Sequence, residues 1–261
     1  CGGSGYMEAG GERFEFSVAI RTGVVAEGRI TYHVGGGITY DSMAGAEYEE
    51  CQWKSLVVTS ESEVPVLLET MRYQPDKGIE LLPGHLHRLS RSASYWDIPL
   101  DLEAVGEALS GVEGPKPKKV RLLVAPSGAV EVEVHDLEEI VEPVQLRLSP
   151  EKIDASNPLW FHKTADRSRY PASPEDGVEV LMMNLERELT ETNISNLLLR
   201  FGDAWVTPLV ESGCLPGVFR QSLIDAGTVA ERRVTLDDLR EADEIAVTNA
   251  VRGYRKAVLI E

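Results

Sequence analysis

Lys163 is the side chain in this sequence whose setting first suggests covalent chemistry. It follows three ring-bearing residues in the run L-W-F-H-K-T-A-D-R. Loss of water around a lysine ammonium lowers its pKa, and the neutral amine can then form a carbon–nitrogen double bond with a carbonyl compound. The alternative is a surface lysine whose stem lies along apolar side chains, and the local context alone favours that alternative.

Three further segments carry residue types that bind charged groups. Glu191 lies in L-T-E-T-N-I-S-N, which we predict as a turn between two strands. Pro216 and Gly217 begin a predicted helix, and the free N–H groups of a helix start attract anions. His85 and Arg88, in H-L-H-R, share one face of another predicted helix. Taken singly, these features are more often an ordinary turn carboxylate, an ordinary helix start and a surface pair.

Two regions of different pattern must position these residues. Residues 1–58 hold many of the glycines and alternate as strands do over 14–22 and 28–34, with an acidic helix predicted over 46–54. So short a stretch buries too little apolar surface to be stable alone. Residues 55–65, S-L-V-V-T-S-E-S-E-V-P, are predicted as the connection between the two regions, with 59–63 as the linker proper.

From residue 64 onwards the pattern is mixed α and β. We predict a small α/β subdomain over 64–144 and a larger subdomain over 145–261. The predicted elements are a strand over 64–72, a helix from Pro83 to Trp96, a helix over 101–111 with Asp101 as its N-cap, a hairpin over 119–134, strands over 145–148, 178–183, 196–200 and 204–208, a helix over 217–226, a helix begun by Thr235 with Asp238 in a capping box, and a closing strand over 244–249.

Composition excludes several classes of protein. The chain has 261 residues, with 43 acidic against 26 basic side chains and a net charge of -17, which argues against nucleic-acid binding. No apolar run approaches the roughly 18 residues that span a membrane, and no signal layout is present, so a cytoplasmic protein is expected. Three irregularly spaced cysteines predict neither disulfides nor a zinc site. Because Cys1 stands in place of a start methionine, we expect a fragment of a longer protein.

The order of the motifs after residue 64 is more specific than any one of them. They run L-E-T-x-R, H-x-x-R, the lysine, E-x-x-x-x-N, T-P, L-P-G-x-x-R and T-N. This order resembles the class IV aminotransferase family, the fold-type IV group of pyridoxal phosphate enzymes that includes branched-chain and D-amino-acid aminotransferases and aminodeoxychorismate lyase. The resemblance implies a two-domain, D-amino-acid aminotransferase-like architecture of mixed α+β and α/β class over roughly residues 64–261.

The resemblance also implies a role for each matching residue. Lys163 matches the Schiff-base lysine, and Glu191 matches the carboxylate that pairs with the pyridine nitrogen and makes the ring an electron sink. Arg88 matches the phosphate-binding arginine. The remaining implied positions are Thr70 in the catalytic group; Asn196, the backbone N–H groups of Val218 and Phe219, and Thr248 or Asn249 around the cofactor; and Arg72 and Arg252 near the substrate.

Residues 1–58 resemble a second family, the C-terminal end of chorismate-binding enzymes such as the large component of aminodeoxychorismate synthase. The matching phrases are F-S-V-A-I-R-T, Y-H-V-G-G-G-I-T-Y-D-S and E-Y-E-E. That family uses an arginine, a Gly-rich backbone and glutamates around chorismate and magnesium. The corresponding residues are Arg21, Gly36, Gly37, Glu47 and Glu50. Most of that fold is absent, so we predict that the segment is inactive alone and that no metal functions there.

Together the two resemblances imply a lyase domain joined to a synthase remnant. Such a protein would convert 4-amino-4-deoxychorismate to p-aminobenzoate and pyruvate, with pyridoxal 5'-phosphate as its cofactor. The first alternative is a class IV aminotransferase of the D-amino-acid or branched-chain type. The second is an inactive fragment that binds a glutamine amidotransferase. The implied partners are a small anionic substrate, a second copy in a homodimer and that amidotransferase.

Overall fold

The computed structural model describes residues 3–10, 12–18, 20–59, 64–137, 142–175 and 177–260. The chain divides into two compact units, Cys1–Glu63 and Val64–Glu261. In the described ranges, none of the helices has both the length and the apolar character needed to cross a membrane. Residues 60–63 of the predicted linker, and Ala19 in the predicted strand over 14–22, lie outside the described residues.

The first unit consists of two hairpins and one helix. Strands β1 (Gly3–Met7) and β2 (Phe14–Val18) pair antiparallel, as do β3 (Gly23–Ala26) and β4 (Arg29–Tyr32), and helix α1 covers Ala44–Thr59. No residue of α1 is buried. Among the described residues of this unit, helix α1 therefore packs into no internal core, as the unit's length predicts.

Helix α1 corrects the predicted boundary of the linker. The connection over 55–65 was predicted to begin at residue 55, but the helix continues to Thr59. Residues 55–59 read S-L-V-V-T and contain neither glycine nor proline, so no local signal ends the helix there. The prediction of a linker was wrong for these residues.

The second unit begins with a four-stranded antiparallel sheet and two helices. Its elements are β5 (Leu67–Gln74), β6 (Gly78–Ile79), α2 (Leu82–Tyr95), α3 (Leu102–Ser110), β7 (Lys118–Val124) and β8 (Val130–Asp136), in the strand order β6-β5-β7-β8. Met71, Val120 and Leu122 on one face of this sheet pack with Leu89 of α2 and Val105 of α3. Because successive side chains of a strand alternate, the opposite face carries polar residues such as Thr70 and Arg121, whereas Glu69 lies on the face that packs on α2.

The remaining described residues of the second unit form one eight-stranded sheet with two short α-helices and two single-turn 3-10 helices. Its elements are β9 (Val144–Ile153), β10 (Val178–Asn184), β11 (Leu189–Thr192), β12 (Asn196–Phe201), β13 (Ala204–Pro208), α4 (Val218–Asp225), β14 (Val229–Arg232), α5 (Leu236–Glu241), β15 (Glu244–Asn249) and β16 (Gly253–Leu259), in the strand order β11-β10-β9-β16-β15-β12-β13-β14. Strand β11 also pairs with β12, through Glu191 and Asn196. The hydrogen-bonded neighbours therefore form a closed ring of strands, from which β13 and β14 extend.

Local capping signals predicted the starts of two helices correctly. The Asp101 side chain accepts hydrogen bonds from the N–H groups of Glu103 and Ala104 at the start of α3. Thr235 and Asp238 form a reciprocal capping box at the start of α5. These motifs need only residues three apart in sequence, which is why sequence alone could identify them.

Three strands of the large sheet were missed. Strand β11 was predicted as a turn and β14 was not predicted, and each has only four residues. The strand ending at Asn249 was predicted to close the fold, but β16 follows it after a turn in which Gly253 has φ 66°. Because β16 carries Arg255 and Lys256, its apolar alternation is weak, although it lies between β9 and β15.

Candidate active site

A cavity of about 720 Å³ lies in the second unit, between the polar face of the four-stranded sheet and the ring of strands. It brings together residues that the sequence separates by more than 180 positions. The predicted site residues that line it are Thr70, Arg88, Lys163, Glu191, Asn196, Val218, Thr248, Asn249 and Arg252. Two predicted residues, Arg72 and Phe219, do not line it.

Lys163 is held in the cavity by backbone pairing with β5. Its carbonyl oxygen accepts a hydrogen bond from the N–H of Leu68 at 2.9 Å, and Ala165 donates to the carbonyl of Val66 at 2.8 Å. The side chain is partly buried, and desolvation, reinforced by the nearby charge of Arg88, lowers the pKa of its amine to about 8. Lys163 therefore lines the cavity with an amine that loses its proton more readily than an ordinary lysine does, and the prediction of a surface lysine was wrong.

Glu191 lies on β11 and is 4% exposed, so the prediction of a turn carboxylate was wrong. Its Oε1 accepts a hydrogen bond from the Tyr170 hydroxyl at 3.2 Å, and its Oε2 accepts one from Asn196 Nδ2 at 3.1 Å. Burial raises the pKa of this carboxyl to about 7. No ion pair to Glu191 is formed within the described ranges, so its charge is available to a cation in the cavity.

Arg88 is held by Glu69, the glutamate of the L-E-T-x-R motif, for which no role was predicted. Glu69 Oε1 accepts from Arg88 Nε at 2.8 Å, its Oε2 accepts from Nη2 at 2.5 Å, and His85 Nδ1 lies 2.6 Å from Oε2. Although burial alone would raise the pKa of Glu69, the Arg88 charge and the hydrogen bonds from both partners lower it to about 2. Glu69 therefore fixes the orientation of the Arg88 guanidinium group. His85 and Arg88 are buried, so the prediction of a surface pair was wrong.

The fixed arginine faces the start of α4. Arg88 Nη1 donates to the carbonyl of Pro216 at 3.1 Å, immediately before the helix. Each terminal guanidinium nitrogen carries two hydrogens, so one remains on Nη1 and one on Nη2 for a ligand. The first N–H groups of a helix lack internal partners, and together with these hydrogens they can bind an anion.

Gly217, the N-cap of α4, keeps this helix start open. A Cβ added at Gly217 would lie 1.9 Å from Asn196 Oδ1, too close for any other residue. Asn196 cannot move freely, because its Nδ2 donates both to Glu191 and to the carbonyl of Leu215 at 2.9 Å. The glycine thus allows the helix start and the Asn196–Glu191 pair to lie side by side.

The last predicted contacts come from the end of β15. The Thr248 hydroxyl donates to the carbonyl of Gly253 at 3.1 Å, and Asn249 Oδ1 accepts from the N–H groups of Val251 and Arg252. Both Thr248 and Asn249 line the cavity, so either side chain can reach a ligand there.

Arg72 and Phe219 occupy other places. Arg72 lies on the same strand face as Thr70, but its Nε is 3.7 Å from Glu80 Oε2 and its Nη1 is 3.5 Å from the carbonyl of Val251. The ring of Phe219 lies beside Gly253, 3.8 Å from the position of a Cβ there. Neither side chain reaches the cavity, so only the backbone of Phe219 remains a candidate contact.

The lining of the cavity is rich in basic side chains, although the chain has a net charge of -17. Its basic lining residues are Arg88, Lys119, Arg121, Lys163, Arg167 and Arg252, against Glu191 as its acid. Lys119 and Arg121 were not predicted. They lie opposite Arg72 and Thr70 on β7, and Arg121 pairs with Glu133 at 2.8 Å. The signal was available in K-V-R-L-L-V, where basic and buried apolar residues alternate.

In the first unit, Glu47 and Glu50 lie close to the Gly-rich loop. A Cβ at Gly36 would meet Glu47 Oε2 at 2.9 Å and Glu50 Oε2 at 3.8 Å. The Ser42 hydroxyl donates to Glu47 Oε1 at 2.6 Å, and Glu50 pairs with Lys54 at 2.5 Å. Over the residues with assigned structure, no group of three or more acidic, histidine or cysteine side chains could hold a metal ion.

The chain belongs to the amino-transferase class IV family, whose family model matches residues 66–260. A second family model, that of chorismate binding enzymes, matches residues 1–60. The two resemblances inferred from the motifs are therefore confirmed, as is the mixed α/β fold of fold-type IV pyridoxal phosphate enzymes.

Three similar proteins illustrate the range of this family. A Schizosaccharomyces pombe protein described as a "putative aminodeoxychorismate lyase" is 26% identical over 74% of this chain and 89% of its own length. The crystal structure of a "putative amino-acid aminotransferase" from Mesorhizobium loti is 32% identical, with a TM-score of 0.66 over 75% of this chain and 99% of that one. The 4-amino-4-deoxychorismate lyase of Pseudomonas aeruginosa, at 23% identity, shares the fold with a TM-score of 0.63 over 76% of this chain and 84% of its own.

The residues present fit pyridoxal phosphate. An amine of lowered pKa, a buried carboxylate without an ion-pair partner, and a helix start that a Cβ at Gly217 would obstruct lie around one cavity. Lys163 would hold the aldehyde carbon, Glu191 the ring nitrogen, and Arg88 with the start of α4 the phosphate. Each group therefore has the charge and the hydrogen-bonding capacity that its part of the cofactor requires.

Proposed function

We propose that this chain is a pyridoxal phosphate-dependent aminodeoxychorismate lyase, which forms p-aminobenzoate and pyruvate from 4-amino-4-deoxychorismate. One observation supports the lyase activity above the alternatives. The same chain contains a segment that matches chorismate binding enzymes and an amino-transferase class IV domain whose cavity is lined by Lys163 and Glu191. A reaction on a chorismate-derived substrate accounts for that union, whereas transamination of a branched-chain amino acid does not. The similarity to the S. pombe protein supports the same reading.

The charge of the cavity also suits this substrate, which carries two carboxylates. The cofactor would engage Lys163 and Arg88, which leaves Lys119, Arg121, Arg167 and Arg252 along the lining. Cationic side chains in a partly dry cavity attract carboxylates more strongly than they do in water. A dianion therefore matches the lining better than a zwitterion with an apolar side chain does.

In the proposed reaction the chain itself supplies positioning and a proton carrier. When bound, the cofactor would supply a conjugated ring that accepts the electron pair released as a proton leaves the carbon bearing the substrate nitrogen. Lys163 would take that proton through its neutral amine, since a pKa near 8 lets it act as base and then as acid close to neutrality. The carbon–oxygen bond to the enolpyruvyl group breaks, the ring becomes aromatic, and the leaving group gains a proton to become pyruvate.

Glu191 and Arg88 would hold the two ends of the cofactor during this reaction. The ionised Glu191 favours a protonated ring nitrogen, and Arg88 cannot turn away because Glu69 fixes its fork. Preorganised charges of this kind need no rearrangement as the reaction proceeds. The products together contain all the atoms of the substrate, so no second reactant is required.

A class IV aminotransferase is the second candidate, and the 32% identity to the Mesorhizobium loti structure favours it. The two reactions separate when the purified chain is given 4-amino-4-deoxychorismate without a keto acid. A lyase releases pyruvate and p-aminobenzoate in equal amounts over many turnovers. An aminotransferase instead stops after one equivalent, with the amino group left on the cofactor.

A matched pair of variants controls this assay. Lys163→Ala removes the proposed proton carrier and should abolish pyruvate release. Lys152→Ala removes an exposed lysine of β9 and should leave the rate unchanged. Equal loss in both variants, or no pyruvate from the unmodified chain, would contradict the lyase proposal.

Family resemblance also motivates proposals about partners and location. We propose a cytoplasmic homodimer, and a glutamine amidotransferase as a partner of the first unit, with Glu47 and Glu50 inactive in the absence of the remaining chorismate-binding fold. Sedimentation of the purified chain tests the dimer. Magnesium-dependent conversion of chorismate by this chain would contradict the proposed inactivity.

A further inference from the structure

Tyr170 links three charged groups in the cavity wall. Its hydroxyl donates to Glu191, while Arg167 and Arg169 place their guanidinium carbons 4.5 and 4.8 Å from the centre of its ring. Trp160 packs edge-on against the same ring, with the two centroids 5.3 Å apart. Tyr170 also lines the cavity, beside Glu191.

The two arginines do not pair with the buried carboxylate beside them. Arg167 donates to the carbonyl of Asn193, and Arg169 donates to the carbonyls of His162 and Asp166 and to the hydroxyl of Thr164. Across the described ranges, neither forms an ion pair. A carboxylate as buried as Glu191 is ordinarily paired, and guanidinium is the usual partner.

The tyrosine ring offers both guanidinium groups a different partner. A guanidinium stacked over an aromatic face is attracted by the negative potential of the ring. Backbone carbonyls accept terminal N–H groups of both arginines, although Arg169 Nε is buried without a hydrogen-bond partner. The ring contact and these carbonyls hold both guanidinium groups away from Glu191. The carboxylate keeps only neutral donors, Tyr170 and Asn196, among its side-chain partners.

We propose that Tyr170 is a positioning residue that reserves Glu191 for the ring nitrogen of the cofactor. Its hydroxyl orients the carboxylate, and its ring keeps Arg167 and Arg169 from pairing with it. This inference rests on the proposed function, because it requires pyridoxal phosphate in the cavity. It assigns to Tyr170 a role in selecting a ligand that has a basic ring nitrogen.

The test compares two ligands that differ only at that nitrogen. Apo-protein is titrated with pyridoxal phosphate and with the analogue in which C–H replaces the ring nitrogen, and the dissociation constants are measured. Tyr170→Phe removes the hydroxyl but keeps the stacking ring. Tyr170→Leu removes both, so that an arginine can turn to Glu191. Tyr95→Phe, an exposed tyrosine of α2 outside the cavity, is the matched control.

We expect Tyr170→Phe to weaken pyridoxal phosphate binding about tenfold, the loss of one hydrogen bond to a charged group. Tyr170→Leu should weaken it further, and analogue binding should change less than threefold in either variant. Equal weakening of both ligands, or no weakening of either, would overturn the role of Tyr170. Because Phe conserves the packed volume, Tyr170→Phe decides the outcome even if Tyr170→Leu does not fold.

Failure of the proposed function gives a different result. If the unmodified protein binds neither ligand, the cofactor assignment falls, and the role of Tyr170 falls with it. If the unmodified protein prefers pyridoxal phosphate and the variants retain that full preference, only the role of Tyr170 is refuted.

Discussion

Gly217→Ala is the substitution whose effect follows most directly from the geometry of the site. The new methyl group would lie 1.9 Å from Asn196 Oδ1 and 3.1 Å from its Cγ, so Asn196 must move by about 1 Å or more. That movement breaks its hydrogen bonds to Glu191 and Leu215. Two lost hydrogen bonds at about 1 kcal/mol each, with an overpacking term of about 1–3 kcal/mol, give a destabilisation of about 3–5 kcal/mol.

Urea unfolding and a double-mutant cycle measure this effect. Asn196→Ala removes the obstructing side chain, so Gly217→Ala should cost less than about 1 kcal/mol in that background. Gly106→Ala is the control, because Gly106 lies exposed in α3 with nothing near its Cβ position, and it should stabilise by about 0.5–1 kcal/mol. The predicted clash is refuted if the free energy of unfolding of Gly217→Ala lies within about 0.5 kcal/mol of that of the unmodified protein. It is also refuted if Gly217→Ala has the same effect in the Asn196→Ala background.

Three further predictions concern buried charges. The pKa of Glu69 is lowered in the folded state, so its ionised carboxylate contributes about 3 kcal/mol to the free energy of unfolding above pH 4.5. This contribution is lost as the pH falls towards 2. The free energy of unfolding of Glu69→Gln should therefore depend less on pH over that range. The covalent attachment of pyridoxal phosphate to Lys163 should quicken with pH and level off above about pH 8, because roughly a tenth of such an amine is neutral at pH 7, against about one part in three thousand for an ordinary lysine. Arg255→Met leaves Glu179 buried without its partner at 2.6 Å and should destabilise by about 3–5 kcal/mol, measured in urea.

Each of these predictions has a contrary outcome. Identical acid unfolding of the Glu69→Gln and unmodified proteins would mean that Glu69 is not ionised against Arg88. A rate of attachment that still climbs through pH 10 would place Lys163 in water. Unchanged stability of Arg255→Met would show that Glu179 finds another partner, and Glu179→Gln in that background should otherwise restore part of the loss.

The sequence predicted those site residues that belong to motifs of fixed order along the chain. The lysine, the E-x-x-x-x-N motif and the P-G helix start could each be located, and the fold brings Lys163, Glu191 and Gly217 around one cavity. Helix caps at Asp101 and Thr235 were predictable for a similar reason, because their partners lie within three residues.

The rest of the site depends on contacts between distant segments, which spacing does not reveal. Glu69 and Arg88 meet only when α2 packs on β5, and Glu191 becomes a strand residue only because β11 closes the ring against β12. Tyr170 lies outside every motif and reaches Glu191 through a connection that ends at β10. Four-residue strands such as β11 lack the length that makes alternation visible in a sequence.

The most direct test of the central claim is to identify the residue that carries the cofactor. The purified chain is saturated with pyridoxal phosphate, reduced with borohydride, digested and analysed by mass spectrometry. We predict one phosphopyridoxyl group per chain, on Lys163. Lys163→Ala should lack both the visible absorption band before reduction and the label after it, whereas Lys152→Ala should keep both. Label on surface lysines alone, or an equal label in Lys163→Ala, would contradict the assignment of this cavity as a pyridoxal phosphate site.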